Sequence, residues 1–308
     1  MFNYNHSDFL PLSGCIERKT ASGRTISVVI PTYNEAATIG RIVDTARKEL
    51  METALVDEIV VIDSNSTDAT VSNALAAGAK VFHTGEVSGA IEKKISGKGA
   101  ALWESLFHTT GDIVVCIDAD IINFSTKFIY GLIGPFLENN DIIFAKAYYD
   151  RPLKIGNNVL ENYGGRVTEI LVRPLLSAFT PELAKIFQPL SGEYAFLREP
   201  VESIPFSSGY GVEIGLIFDL YEKYGLDRFA QVDMGVRYHR NRPVNELGKM
   251  SFGIMQTILR KLEKKNVLTI NVPFSNTMIS GGELCLEETE IREIELPPKA
   301  LVNRFAKQ

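Results

Sequence analysis

Cysteine is nearly absent from this chain. Its three cysteines, Cys15, Cys116 and Cys285, are scattered and odd in number, and none is spaced for a metal. Neither a disulfide framework nor a structural zinc site is expected, and Cys116 inside an apolar run reads as a small core residue. Long apolar runs are also missing. None approaches the ~18–20 residues that a membrane helix needs, and 1–25 is polar, unlike a secretory leader. Positive charge is not in excess: the net charge of −6 argues against a nucleic-acid-binding body, while leaving room for a local basic pocket. No Gly-x-Gly-x-x-Gly turn and no Gly-x4-Gly-Lys-Ser/Thr loop occurs, which disfavours a dinucleotide fold and a P-loop. These absences leave a soluble, cytoplasmic protein that works on small molecules, with no nucleic acid and no membrane as partner.

What is present is regular. At 308 residues and 45% hydrophobic, the chain can form one large α/β domain or a domain with an appendage. Strand-like runs at 26–31, 57–63, 78–82 and 111–120 alternate with helical stretches at 36–50 and 97–108. Short links between them predict βαβ units and a mainly parallel sheet. Beyond that point the pattern loosens. Strands are expected at 141–149 and 230–238, and helices at 164–178, 211–224 and 246–264. The organisation expected is an irregular lead-in at 1–24, then a nucleotide-binding half at 25–150. A second half of the same domain follows at 151–265, with an extension at 266–308. The acidic run in that extension (283–295) reads as a solvated face or as a contact with another subunit.

The most informative run ends in Asp118-Ala119-Asp120. Five apolar residues precede two carboxylates spaced i, i+2, so a buried strand delivers both acids to the carboxyl edge of a sheet. Such a pair suits a hard divalent cation, and that cation can hold a diphosphate. The bland alternative is a strand-end turn, where Asp is common. Other polar segments fall where ligands bind in open α/β sheets. Pro31-Thr32-Tyr33-Asn34-Glu35 closes the first strand, with Asn34 a possible cap. Asp63-Ser64 closes the second, where Asp63 suits a ribose or base, or simple capping. Lys98 stands between two glycines at a helix start, which suits a phosphate. Gly165-Arg166-Val167-Thr168 offers a helix start, a guanidinium and a hydroxyl for an anionic group, or merely a glycine break. His239 lies among arginines and Asn241, where a ligand or metal role competes with surface pairing. Glu213 follows Gly209-Tyr210-Gly211 at a helix start, either as a dipole partner or as a sugar-binding acid.

Taken in order, VVIPTYNE, VIDSNSTD, GKGAAL, DAD, GGRVTE, QPLSGEYA, GYGVEIGL and VRYHRNRP resemble the retaining GT-A glycosyltransferase family of glucosyl-3-phosphoglycerate synthases. That family also holds mannosyl-3-phosphoglycerate synthases, and the resemblance runs from about Ser27 to Met250. It implies a GT-A-like fold of Rossmann type and transfer of a hexose, most simply from UDP-glucose, to the 2-hydroxyl of 3-phosphoglycerate. It also implies a homodimer. By this resemblance Pro31, Thr32, Tyr33, Glu35 and Ser64 line the uridine site, with Asp63 and Ala119 beside it, and Lys98 faces the donor diphosphate. Asp118, Asp120 and His239 hold Mg2+ or Mn2+. Gly165, Arg166, Thr168 and Asn241 hold the acceptor. Tyr210 and Glu213 face the donor sugar, and Asp120 and Glu213 are the catalytic candidates. Ala119 departs from the serine frequent at that place in the family. Alternatives from the sequence are a GDP-mannose-using synthase, an inverting GT-A enzyme, a nucleotidyltransferase and a non-catalytic sensor.

Overall fold

The computed structural model describes residues 1–87, 95–155, 158–160, 165–238, 243–281 and 285–305. Its centre is an eight-stranded sheet in the order β1-β11-β6-β9-β5-β2-β3-β4. These strands are β1 (Phe2–Asn5), β2 (Ile26–Thr32), β3 (Glu58–Asp63), β4 (Lys80–His83), β5 (Ile113–Cys116), β6 (Phe144–Asp150), β9 (Tyr194–Leu197) and β11 (Phe229–Val236). All neighbouring pairs run parallel except those of β9, which lies antiparallel between β5 and β6. The mainly parallel α/β sheet expected from the alternation is what forms.

Ile26, Val28, Val29 and Ile30 are all fully buried, so β2 shows no in–out alternation. The reason is that both faces of the sheet are covered. One face packs on α1 (Leu12–Ser22), α2 (Ile39–Ala46), α3 (Thr70–Ala76) and α5 (Lys127–Glu138), with Phe128, Ile133 and Phe136 against Val28 and Ile30. The other packs on α4 (Lys98–His108), α6 (Arg173–Phe179), α8 (Val212–Tyr224) and α9 (Val244–Lys264), with Trp103, Phe218 and Ile258 against Val29, Val60 and Phe144. Each such side chain taken from water stabilises the fold by roughly 1.5–3 kcal/mol. The remaining elements are short: β7 (Leu153–Ile155) with β8 (Asn158–Leu160), α7 (Arg198–Glu202), β10 (Phe206–Ser207), the hairpin β12 (Thr277–Gly281) and β13 (Leu286–Glu290), β14 (Glu295–Leu296) and α10 (Lys299–Phe305).

Two expectations are corrected. Residues 1–24 are not an irregular lead-in: β1 pairs with β11, and α1 follows. The helix buries only Cys15 and Lys19, so it carries little apolar signal of its own. The tail is not wholly peripheral, because β14 pairs with β10 and both Glu293 and Leu296 are buried. The helix expected at 164–178 does form, over 166–179, with a π-turn at Thr168–Val172 inside it just before α6. Pro174 has no N–H to close an α-turn onto Ile170, and the coil widens there. Strand β9 had no sequence signal as a strand.

Candidate active site

Parallel strands put their carboxyl ends on one edge, and a cavity of about 640 Å³ opens there. The ends of β2, β3, β5, β6 and β11 contribute Pro31 and Thr32, Ser64, Asp118 with Ala119 and Asp120, Arg151, and Arg237 respectively. Loops and helix starts supply the rest: Tyr33 and Glu35 after β2, Gly97 and Lys98 at α4, Gly165 to Thr168 before α6, and Tyr210 and Glu213 at α8. Leu247, Met250 and Ile254 of α9 form an apolar wall.

The two polar loops after β2 and β3 hold each other. Asn34 adopts a left-handed backbone (φ 55°), its Oδ1 accepts from the Thr67 amide at 2.9 Å, and its amide donates to Ser66 Oγ at 2.9 Å. Asp63 is fully buried beneath this pair. It accepts from Thr32 Oγ1 at 3.1 Å and from the amide of Ser66 at 2.8 Å. Asp63 therefore does not face the cavity as expected; its carboxylate is committed to the turn. Ser64 does face it, and its hydroxyl lies 3.1 Å from that of Thr84.

The centre of the cavity is a ladder of alternating charges. Lys98 Nζ lies 2.6 Å from Asp118 Oδ1 and 2.8 Å from Glu213 Oε1. Arg237 Nη2 lies 3.2 Å from Asp118 Oδ2, 2.8 Å from Asp120 Oδ1 and 2.9 Å from Glu193 Oε1. At Glu213 Oε1 and Glu193 Oε1 the contact is an ion pair. Tyr149 donates to the other oxygen of Glu193, and Arg151 donates to Tyr149 Oη at 2.6 Å. Burial alone would discharge Lys98, but Asp118 and Glu213 outweigh it and hold the ammonium well above its ordinary pKa. Burial likewise pushes Asp118 up, and Lys98 with Arg237 overcome it, so the carboxyl sits well below the usual range. At Glu193 burial wins over Arg237 and the pKa is raised. Lys146 lies in the same buried layer. It donates to the Ser191 carbonyl at 2.5 Å, its ammonium is 4.5 Å from the Tyr194 ring, and burial brings its pKa down to about 7.

Among the described residues there is no group of three or more His, Cys, Asp or Glu able to hold a metal. His239, expected as the third ligand, and Asn241, expected at the acceptor, lie outside the described residues. Asp120 suits a hard cation: one oxygen meets Arg237, the other has no hydrogen bond among the described residues, and its side chain is 24% exposed. Both oxygens of Asp118 are committed to cations.

The structure thus gathers fourteen described candidates around one cavity: Pro31, Thr32, Tyr33, Glu35, Ser64, Lys98, Asp118, Ala119, Asp120, Gly165, Arg166, Thr168, Tyr210 and Glu213. Not singled out in the sequence were Arg151, Gly192, Glu193 and Arg237. Their signals were faint. Gly192 and Glu193 stand in QPLSGEYA, and a Cβ on Gly192 would overlap the Asp118 carboxylate. Arg237 stands two residues before His239, within a basic cluster that does not set it apart.

Comparison with known proteins agrees with this geometry. Residues 27–185 match the Glycosyl transferase family 2. The chain is 42% identical over 309 residues to a glucosyl-3-phosphoglycerate synthase of Petrotoga mobilis, covering 98% of this chain and 94% of that protein. Glucosyl-3-phosphoglycerate synthase from Mycobacterium tuberculosis has been solved with Mn2+, uridine-diphosphate-glucose and phosphoglyceric acid. It is similar with a TM-score of 0.82 at 39% identity, covering 98% of this chain and 99% of that one. Mannosyl-3-phosphoglycerate synthase from Rubrobacter xylanophilus is similar with a TM-score of 0.89 at 35% identity, covering 98% and 97%. A parallel-sheet cavity with an acid pair at its centre, and these likenesses over nearly the whole length, lead to one assignment: the chain belongs to the glycosyl transferase family 2 and, within it, to the glucosyl-3-phosphoglycerate synthase family.

Proposed function

We propose that this chain transfers glucose from UDP-glucose to the 2-hydroxyl of 3-phosphoglycerate with retention of the anomeric configuration. One observation carries the proposal: a single cavity joins the β2 and β3 loops, the Asp118–Asp120 pair and the Arg166–Thr168 turn. A nucleotide, a diphosphate and an anionic acceptor fit those three stations in that order. The uracil and ribose would rest on Pro31 to Tyr33, Glu35 and Ser64. Lys98, held charged between Asp118 and Glu213, would face the diphosphate. Arg166, with Gly165 and Thr168, would hold the acceptor's phosphate or carboxylate, and Arg151 is a second cation on the same cavity wall. Asn241 would join them.

Asp120, with His239, would hold a divalent cation. When bound, it supplies charge neutralisation to the departing diphosphate. Tyr210 and Glu213 would border the sugar, and both line the cavity at the start of α8. Retention requires the acceptor oxygen to approach from the face that the diphosphate leaves. The apolar side chains of Leu247, Met250 and Ile254 limit water there, which favours transfer over hydrolysis.

The test is a matrix of UDP-glucose and GDP-mannose against 3-phosphoglycerate and glycerol 3-phosphate, with Mg2+ or Mn2+, read by product mass. A hexosyl adduct of phosphoglycerate with UDP-glucose is expected. Stronger turnover with GDP-mannose would favour the mannosyl reading, which the likeness to the Rubrobacter xylanophilus enzyme keeps in view. No adduct with any pair would overturn the proposal. We also place the protein in the cytoplasm as a homodimer. No helix among the described residues is long and apolar enough to cross a membrane. Sedimentation at micromolar concentration checks the dimer, and a monomer there would refute it.

A further inference from the structure

Glu293 comes from the tail yet is buried behind the sugar side of the cavity. Its carboxylate accepts from the amide of Gly209 at 2.9 Å and from that of Gly211 at 3.3 Å. Its own amide donates to Gln256 Oε1 at 3.3 Å, and its carbonyl accepts from Arg260. The adjoining backbone is fixed too: the Ser208 amide donates to the Ile294 carbonyl at 2.9 Å, and the Ile294 amide to Ser208 Oγ at 3.2 Å. Side chains at Gly209 and Gly253 would collide with this carboxylate, so both glycines make room for it.

The front of the same turn faces the cavity. It carries Tyr210, and α8 begins directly after it with Glu213 in the first turn. Its carbonyls also receive the start of α4: the Ala100 amide donates to Ser208 O at 2.7 Å and the Gly99 amide to Gly209 O at 3.2 Å. Lys98 is thereby tied to the turn that Glu293 holds. A carboxylate at the start of α8 also complements the helix dipole. Burial pushes its pKa up, against the Gly209 and Gly211 amides that favour the charged form.

We infer that Glu293 is a positioning residue: by holding the Gly209–Gly211 turn from behind, it sets where Tyr210 and Glu213 stand relative to Lys98. The kinetic consequence rests on the proposed glucosyl transfer; the structural one does not. Three variants separate this from general destabilisation. Glu293→Ala removes the acceptor, Glu293→Gln keeps one acceptor oxygen, and Leu296→Ala empties a buried tail position paired with Phe206, outside the hydrogen bonds that hold the turn. Glu293→Ala is expected to lower kcat/KM for UDP-glucose at least about tenfold with little change in KM for phosphoglycerate, and Glu293→Gln to recover most of it. Leu296→Ala should lower the melting temperature but keep kcat/KM within about threefold. By hydrogen exchange, the Gly209 and Gly211 amides should lose protection in Glu293→Ala and keep it in Leu296→Ala. Equal kinetic losses in Glu293→Ala and Leu296→Ala, or unchanged exchange at those amides, would overturn the inference. Absence of turnover in the unmodified protein would sink the glucosyl-transfer proposal instead, and exchange would still decide the role of Glu293.

Discussion

Arg237 meets three carboxylates through one nitrogen, and its side chain is only 3% exposed. Removing one partner of a buried ion pair typically costs about 3–5 kcal/mol, because the remaining charge is left uncompensated. Arg237→Leu should therefore lower stability by about that amount, read by urea denaturation. Asp120→Ala asks a different question, since Asp120 lines the cavity and one of its oxygens has no hydrogen bond among the described residues. Its turnover should fall by about 10²–10³, with a smaller loss of stability than in Arg237→Leu because Asp118 and Glu193 still pair with Arg237; near-normal rates with Mg2+ or Mn2+ would defeat the metal assignment. Glu58 reports on pH. Burial raises its carboxyl, but Lys80, the Thr110 amide and Ser27 outweigh this and bring it down to about 2 from 4.5. The stability it contributes is present above pH 4.5 and is lost as pH falls towards 2. Lys80 is largely exposed, so screening trims the gain to on the order of 2 kcal/mol. Glu58→Gln should therefore destabilise the protein at pH 7 and narrow its deficit as the pH is lowered towards 3, as measured by thermal melts.

At the scale of elements, the approach of α4 to the turn after β10 is the tightest in the site. A Cβ on Gly99 would overlap the Ser207 carbonyl, and both sides of that contact are backbone. Gly99→Ala must push the helix start away and carry Lys98 with it. Turnover should drop by about tenfold or more, since misplacement of about 1 Å can cost that much, and a melt would show a loss of about 1–3 kcal/mol. Elements with an unbroken apolar run were legible in the sequence: β2, β3 and β5 are marked by Val28 to Ile30, Ile59 to Ile62 and Ile113 to Cys116. The acids after them were legible because parallel strands bring their ends together. Strand β9 was not, because Tyr194–Leu197 is four residues long and becomes a strand only between two partners distant in sequence. Arg237, Glu193 and Glu293 were missed for a related reason. Each acts by contact across more than 40 residues, and nothing in its neighbours along the chain records that contact.

At the scale of the whole molecule, the first residues complete the sheet at one end. Strand β1 covers the edge of β11, and Phe9 fills a socket at Gly134, where no side chain would fit. Phe9→Ala should cost about 3–5 kcal/mol by urea denaturation, and removal of 1–24 should leave β11 as an exposed edge prone to association, which light scattering would detect. The antiparallel β9 has a consequence in time as well as in space. Strands β2 to β5 can pair as they leave the ribosome, because all four lie within the first 116 residues. Strand β6 cannot join them until residues 194–197 have been made, since among the described residues β9 alone bridges β5 and β6. Strand β1, made first, waits longest, for residues 229–236. A chain halted in synthesis before residue 194 would carry half a sheet with an open edge at β5, the state in which this protein most needs a chaperone.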